Sequence, residues 1–337
     1  VLEPPADLPD RTLVASIRTD YGLPIRTLTF LPLGHDANAW VYEAQTDDRS
    51  AFFVKVRLAV TNEAALAVPH HLATSGVEGV VAPLVTTDGR LWTNAGRYAL
   101  IVYPFVSGTT AMDAGMSDAQ WVEYGRLLRS VHDAPVAADL GRLLRRDDFT
   151  PDGAAGVRRL DRYMRTATAM EAAQQSIADF WRANALVIRR LLATAESLGQ
   201  ELAAAPPELV LCHADIHTNN VLVGDDGRVW FVDWDETMLA PRERDLMFVI
   251  GGIHHSFVDA RQTGLFGSGY GGVVVDAVAL DYYRYSWALS DIASYGEQVF
   301  FRPELGAKNF AEAVARFHSL FELGSIVDIA LSSQIPG

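Results

Sequence analysis

Residues 211–235 read L-C-H-A-D-I-H-T-N-N-V-L-V-G-D-D-G-R-V-W-F-V-D-W-D. The apolar residues Leu209 to Leu211 predict a short strand, after which Asp215 and Asn220 fall five apart on a loop. Asp225-Asp226-Gly227 makes a turn between two apolar runs, which predicts a hairpin. Asp233 closes the second run, 13 residues past Asn220. Each acid or amide has a plain reading alone, because Asp and Asn are common turn formers and strand terminators. Taken together, with His213 and His217 in the same loop, the spacing points to a shared chemical task.

Phosphoryl transfer from ATP needs a group to position the acceptor hydroxyl and accept its proton. It also needs magnesium to bridge the phosphates, and a cation to hold those not transferred. Asp215 suits the first role. Asn220 and Asp233 suit the second, since hard oxygen ligands match magnesium, and Asp235 is a candidate supporting acceptor. Zinc would need a third suitable protein ligand, which the sequence does not offer. Lys55, in the strand-like A-F-F-V-K-V-R-L, is the candidate cation, because a lysine among apolar residues needs a partner. Its plainer reading is the exposed face of an edge strand. Glu63, on the following predicted helix, is the expected partner. Gly34, in L-G-H-D-A-N-A-W, would let the backbone approach a phosphate, and Asn38 of the same loop is a further nucleotide candidate.

The surrounding pattern divides in two. A short helix is expected from Asp10 to Tyr21. Strands are expected at 25–33, 39–44 and 51–58, a helix at 61–74, and strands at 80–85, 90–93 and 98–103. That order predicts a small antiparallel sheet carrying a helix. Beyond the connector Pro104 to Gly108 the chain reads as helical. Ser117-Asp-Ala-Gln120 forms a capping box, and helices are expected across much of 148–205 and at 278–287, 292–300 and 310–323. The fold class is α+β, with an N-terminal lobe at 1–104 and a larger, mainly helical C-terminal lobe at 105–337. Gly267 to Gly272 satisfies G-x-G-x-x-G, but D-A-R-Q-T-G-L-F before it makes a poor strand, so a flexible loop is expected there rather than a dinucleotide site.

Composition narrows the partners. The chain has 337 residues, 49% of them hydrophobic, one cysteine and a formal net charge of −14. A single cysteine excludes an internal disulfide and a cysteine-based zinc site. No run approaches 18 apolar residues, and the N-terminus lacks a signal-peptide pattern, so a cytoplasmic protein without membrane contact is expected. The acidic balance argues against nucleic acid. It suits a cationic small molecule, though solubility alone would also favour it.

The strings F-V-K-V-R, L-C-H-A-D-I-H-T-N-N-V-L-V, F-V-D-W-D-E-T-M-L-A-P-R-E-R-D-L-M-F, and D-Y-Y-R with D-I-A-S-Y-G resemble the aminoglycoside phosphotransferase family. Within it they are similar to the spectinomycin phosphotransferases, and the resemblance spans nearly the whole chain. It implies a two-lobed protein-kinase-like fold using ATP and Mg2+, with Asp215 as catalytic base, Asn220 and Asp233 on the metal, and Lys55 on the phosphates. It also implies adenine at the connector, against the backbone of Pro104 and Val106 with Tyr103 behind. Pro104 offers a carbonyl but no N–H, so it would accept while Val106 donates. The function implied is phosphorylation of a hydroxyl on an aminocyclitol antibiotic, spectinomycin first, conferring resistance. A metabolic kinase of the same fold, for choline, homoserine or a methylthiosugar, is the alternative. Substrate ammonium groups would need carboxylates, for which Asp235, Glu236, Asp281, Asp291 and Glu297 are candidates. Tyr283, Tyr295 and Trp287 are candidate aromatic walls.

Overall fold

Side chains of a strand alternate between its two faces, and this alternation organises the N-terminal sheet. In the strand Ala51–Arg57 (β3), Val54 and Val56 are fully buried on one face, while Lys55 and Arg57 share the other. The structure is a computed structural model that describes residues 3–32, 39–60, 62–167, 170–254, 257–272 and 274–333. The expected phosphate loop, with Gly34 and Asn38, lies outside the described residues.

The chain divides into two compact units, Val1–Arg145 with His213–Met238, and Arg146–Cys212 with Leu239–Gly337. In the first, the helix Asp10–Tyr21 (α1) is followed by Ile25–Leu31 (β1), Ala39–Thr46 (β2), β3, the helix Ala64–Thr74 (α2), Thr93–Ala95 (β4) and Tyr98–Pro104 (β5). The sheet runs β1-β2-β3-β5-β4, antiparallel throughout, with Lys55 opposite Val41 and Ile101. Leu13 and Ile17 of α1 pack on Tyr42, Val54, Val56, Leu100 and Val102 in one apolar core. The segment 80–85 is not a strand. Val80 makes a single bridge to Phe231, and Leu84 N–H donates to Val102 O at 2.7 Å.

The hairpin of residues 221–231 forms as the sequence predicts. Val221–Gly224 pairs antiparallel with Val229–Phe231 on one side and with Gly108–Thr110 on the other. The helix Asp118–His132 starts with the expected capping box of Ser117 and Gln120. Its Tyr124 ring stands edge-on to Phe231, 5.5 Å between centroids.

The second unit is helical, with helices Ala154–Thr166, Ala172–Ala183, Ala185–Ala204, Ala260–Tyr270, Gly306–Ser319 and Ile326–Ser332. Several of them pack on one long helix, Ala277–Phe301. This helix is continuous where two shorter ones were expected. No residue between 288 and 291 is a glycine or proline that would break it, and Asp276 caps its start by accepting from Val278 and Ala279 N–H. The glycine run at 267–272 is not a flexible loop. Gly267 to Tyr270 end the helix Ala260–Tyr270, which Asp259 and Gln262 start with a capping box, and Gly271 closes it in the left-handed conformation. A dinucleotide fingerprint would open a helix, whereas these residues end one.

Gly79 carries the backbone past the hairpin in the left-handed region, φ +80°, and its carbonyl accepts from Phe231 N–H at 2.7 Å. A Cβ there would lie 2.8 Å from Val229 O and from Leu127 Cδ2. Gly79→Ala is therefore expected to cost about 2–4 kcal/mol of stability, from backbone strain plus overpacking. Urea unfolding measures this, and a loss below about 1 kcal/mol would show that the turn adapts.

Candidate functional site

The loop after the strand Val210–Cys212 bends at Ala214, whose φ of 68° lies in the left-handed region. Such a backbone is costly for a residue with a Cβ and persists where neighbours fix it. His213 is one of those neighbours. Its Nε2 lies 2.9 Å from Val232 O and its Nδ1 lies 3.4 Å from Asp215 N. A carbonyl only accepts and an amide N–H only donates, so the ring is the neutral tautomer with hydrogen on Nε2. One imidazole thus fixes the backbone beside both Asp215 and Asp233. The Tyr124 hydroxyl adds a hydrogen bond to Ile216 O at 2.5 Å.

Asn220 Nδ2 donates to Asp215 O at 2.7 Å and to Asp215 Oδ2 at 3.0 Å. Both partners are oxygens, so the amide must face them with its nitrogen, leaving Oδ1 as its acceptor end. His217 Nε2 lies 3.4 Å from Asp215 Oδ1. Burial, reinforced by nearby His213, pushes the His217 pKa down to about 4, so near neutral pH the ring meets Asp215 uncharged. Asp233 also has a left-handed backbone, φ 62°, and its carboxylate is half exposed.

Lys55 Nζ lies 3.4 Å from Asp233 Oδ1 and 3.1 Å from Asp235 Oδ2, and Arg57 Nη1 reaches the same Asp235 oxygen at 2.9 Å. The expected Lys55–Glu63 pair is not formed. Glu63 is exposed at the entry to α2, and the carboxylates that reach Lys55 come from the segment after the hairpin. Asn62, one residue earlier, donates from Nδ2 to Asp235 O at 2.8 Å and accepts from Ala64 N–H at 3.1 Å. Tyr103 packs edge-on to Phe53 and lines one pocket with Lys55, Arg57, Asn62 and Asp235. Burial, then the Asp235 and Asp233 charges, hold the Tyr103 hydroxyl well above its ordinary range, so it stays neutral. Pro104 ends β5 opposite Phe52, with an exposed ring, and Val106 is partly buried two residues on.

The remaining substrate candidates sort by burial. Asp281 and Tyr283 are interior groups rather than ligand-facing ones. Asp281 is buried and pairs with Arg284 at 3.2 Å, and the buried Tyr283 donates its hydroxyl to Asp147 Oδ2 at 2.8 Å. Asp235 serves the Lys55 and Arg57 cations. Glu297 lies 3.5 Å from Arg159, and Glu236 is exposed. Asp291 and Tyr295, one turn apart on Ala277–Phe301, keep partial solvent contact.

Residues 29–280 match the family profile described as the phosphotransferase enzyme family. The chain belongs to that family. It is similar to the crystal structure of spectinomycin phosphotransferase in complex with ADP and spectinomycin, at 30% identity and a TM-score of 0.87, over 98% of this chain and 99% of that one. It is also similar to the AMP-bound complex of spectinomycin phosphotransferase, at 28% identity and a TM-score of 0.83, over 96% and 98%. An amicoumacin kinase in complex with AMP-PNP and Ca2+ shares the fold, at 17% identity and a TM-score of 0.61, over 95% and 93%. No curated protein matches the chain significantly. The fold is that of the protein-kinase-like phosphotransferases, with an antiparallel N-terminal sheet. The chain is accordingly a phosphotransferase acting on a hydroxyl. Among the described residues no helix is long and apolar enough to cross a membrane.

The donors of this phosphotransferase fit a hard divalent cation. The Asn220 amide turns its nitrogen to Asp215, and Asp233 offers a half-exposed carboxylate. Arg57 and Asn62 went unnoticed in the sequence. Arg57 shares the parity of Lys55 in F-V-K-V-R, which was a signal for a second cation on that face. Asn62 carried no comparable signal.

Burial lifts the Asp291 carboxyl from 3.8 to about 7, against the opposing influence of Trp287 and Arg316. The folded chain therefore holds this proton more tightly than the unfolded chain, and stability falls as pH rises through that window. Asp291→Asn is expected to raise Tm by about 2–4 °C at pH 8, with the gain vanishing towards pH 4. A gain that is the same at both pH values would remove burial of the charge as its cause.

Proposed function

We propose that this phosphotransferase transfers the γ-phosphoryl group of ATP to a hydroxyl of an aminocyclitol antibiotic, spectinomycin in the first instance, and thereby confers resistance. One observation carries the kinase chemistry. Asp215, Asn220, Asp233 and Lys55 converge in one compact unit, with Asn220 bonded to Asp215 and Lys55 paired with Asp233. The choice of antibiotic is supported by the near full-length likeness to spectinomycin phosphotransferase.

In this reading Asp215 accepts the hydrogen bond of the acceptor hydroxyl and then its proton. Asn220 keeps one Asp215 oxygen and the main chain in place by donating to both. His217 beside the other oxygen is neutral near pH 7, so it adds no positive charge that would hold Asp215 back from accepting a proton. Asn220 Oδ1 and Asp233 would hold Mg2+, which when bound would neutralise charge on the phosphates. Lys55 holds the phosphates that are not transferred. Pro104 O and Val106 N–H meet the adenine edge, with Tyr103 behind, so the functional lobes meet at 104/105, where β5 ends. Asp291 and Tyr295 remain the acceptor-side candidates on Ala277–Phe301, with exposed Glu236 beyond the metal segment. The net charge of −14 favours a cationic acceptor over nucleic acid. Use of ATP suits a cytoplasmic setting.

Mass spectrometry after incubation with ATP and MgCl2 tests the reading. Spectinomycin is expected to gain about 80 Da, the mass of one phosphoryl group, while streptomycin, hygromycin and choline stay unchanged. A gain on choline alone would replace the antibiotic reading with a metabolic one. Asp215→Asn is expected to lower kcat by about 10²–10⁴-fold with little change in KM for ATP, and unchanged turnover would remove Asp215 from the base role.

A further inference from the structure

The lysine of the phosphate site is held by an unexpected partner. Lys55 and Arg57 leave the same face of β3, two residues apart, and both reach Oδ2 of Asp235, at 3.1 Å and 2.9 Å. The main-chain oxygen of Asp235 accepts from Asn62, whose own Oδ1 accepts from Ala64 N–H at the start of α2. Asp235 is thus tied at its side chain to the sheet and at its backbone to the helix entry. Glu63, the neighbouring carboxylate on that entry, is exposed.

We infer that Asp235 is the positioning residue for Lys55, in place of a glutamate on α2, and that Arg57 fixes the Asp235 carboxylate for this task. The inference rests on the kinase reading above. Its physical basis is that two carboxylates lie within reach of the one Lys55 ammonium. Lys55 lies near both Asp235 and Asp233, and Asp233 is the carboxylate that a metal ion would also need. With Asp235 present, Lys55 keeps a counter-charge when Asp233 turns to the metal, and Arg57 stops the Asp235 side chain from swinging after it. Without Asp235, Asp233 is the carboxylate that stays near Lys55 among the described residues, and Lys55 would compete with a bound metal for it. The two pairs are partly buried, where charge-assisted contacts are stronger than at the surface.

The test compares Asp235→Ala, Asp235→Asn and Glu63→Ala with the wild type. Binding of the fluorescent nucleotide TNP-ATP is titrated at several MgCl2 concentrations, which needs no knowledge of the acceptor. Asp235→Ala is expected to weaken nucleotide binding about tenfold and to raise the Mg2+ concentration required. Asp235→Asn keeps the shape and an acceptor oxygen, so it should fall between Asp235→Ala and wild type. Glu63→Ala should bind within about twofold of wild type. In turnover, the Asp235 variants should raise KM for ATP more than they lower kcat. Wild-type affinity and Mg2+ requirement in both Asp235 variants would overturn the inference, as would an equal or larger loss in Glu63→Ala. A wild-type protein that binds no TNP-ATP would overturn the kinase reading itself, and the inference with it.

Discussion

Two cations on one face of one strand set the terms for the first unit. Strand alternation commits Val54 and Val56 to the apolar core beneath α1, and it commits Lys55 and Arg57 to the other face. Both cations are mostly shielded from water. Removing such charges from solvent costs several kcal/mol each unless paired. Among the described residues Lys55 meets Asp233 and Asp235, 178 and 180 residues further along the chain, and Arg57 meets the same Asp235. The sheet, the hairpin that delivers those aspartates and the entry to α2 therefore depend on one another. Removing either carboxylate affects all three.

The loop at Asp215 obeys a second constraint. Ala214 and Asp233 both adopt the left-handed backbone, which residues with a Cβ rarely take. One neutral imidazole, His213, bonds beside both of them, to Asp215 N and to Val232 O. The ring also lies 4.5 Å from the buried Trp234 ring, centroid to centroid, which limits its freedom. Strain held at two points by one buried side chain keeps the backbone beside Asp215 and Asp233 in fixed register. His213 acts here as a scaffold for the loop.

In the second unit, one helix carries acidic and aromatic residues with different tasks. Asp281 and Tyr283 face inward, where Arg284 and Asp147 satisfy them. Asp291 and Tyr295, two to three turns further along, keep contact with solvent. The Asp291 carboxyl stays protonated far more easily than an ordinary aspartate because its surroundings are dense.

The sequence by itself determined most of the sheet, the hairpin and the capped helix at Ser117, and it brought out Lys55, Asp215, Asn220 and Asp233 as candidates. Each is encoded locally, in a period-two or helical pattern, a turn tripeptide or a fixed spacing along one loop. Tertiary structure decided who pairs with whom. Glu63 was the expected partner of Lys55, yet Asp235 reaches it. Asp281 and Asp291 looked alike as helical carboxylates, yet one is a buried ion pair and the other keeps only partial solvent contact. The glycine run at 267–272 matched a loop pattern but ends a helix, because Asp259 and Gln262 had already started one. Ion pairing depends on which charges come within a few ångströms after folding. Distance in space between residues far apart in the chain is not written in either one's neighbours.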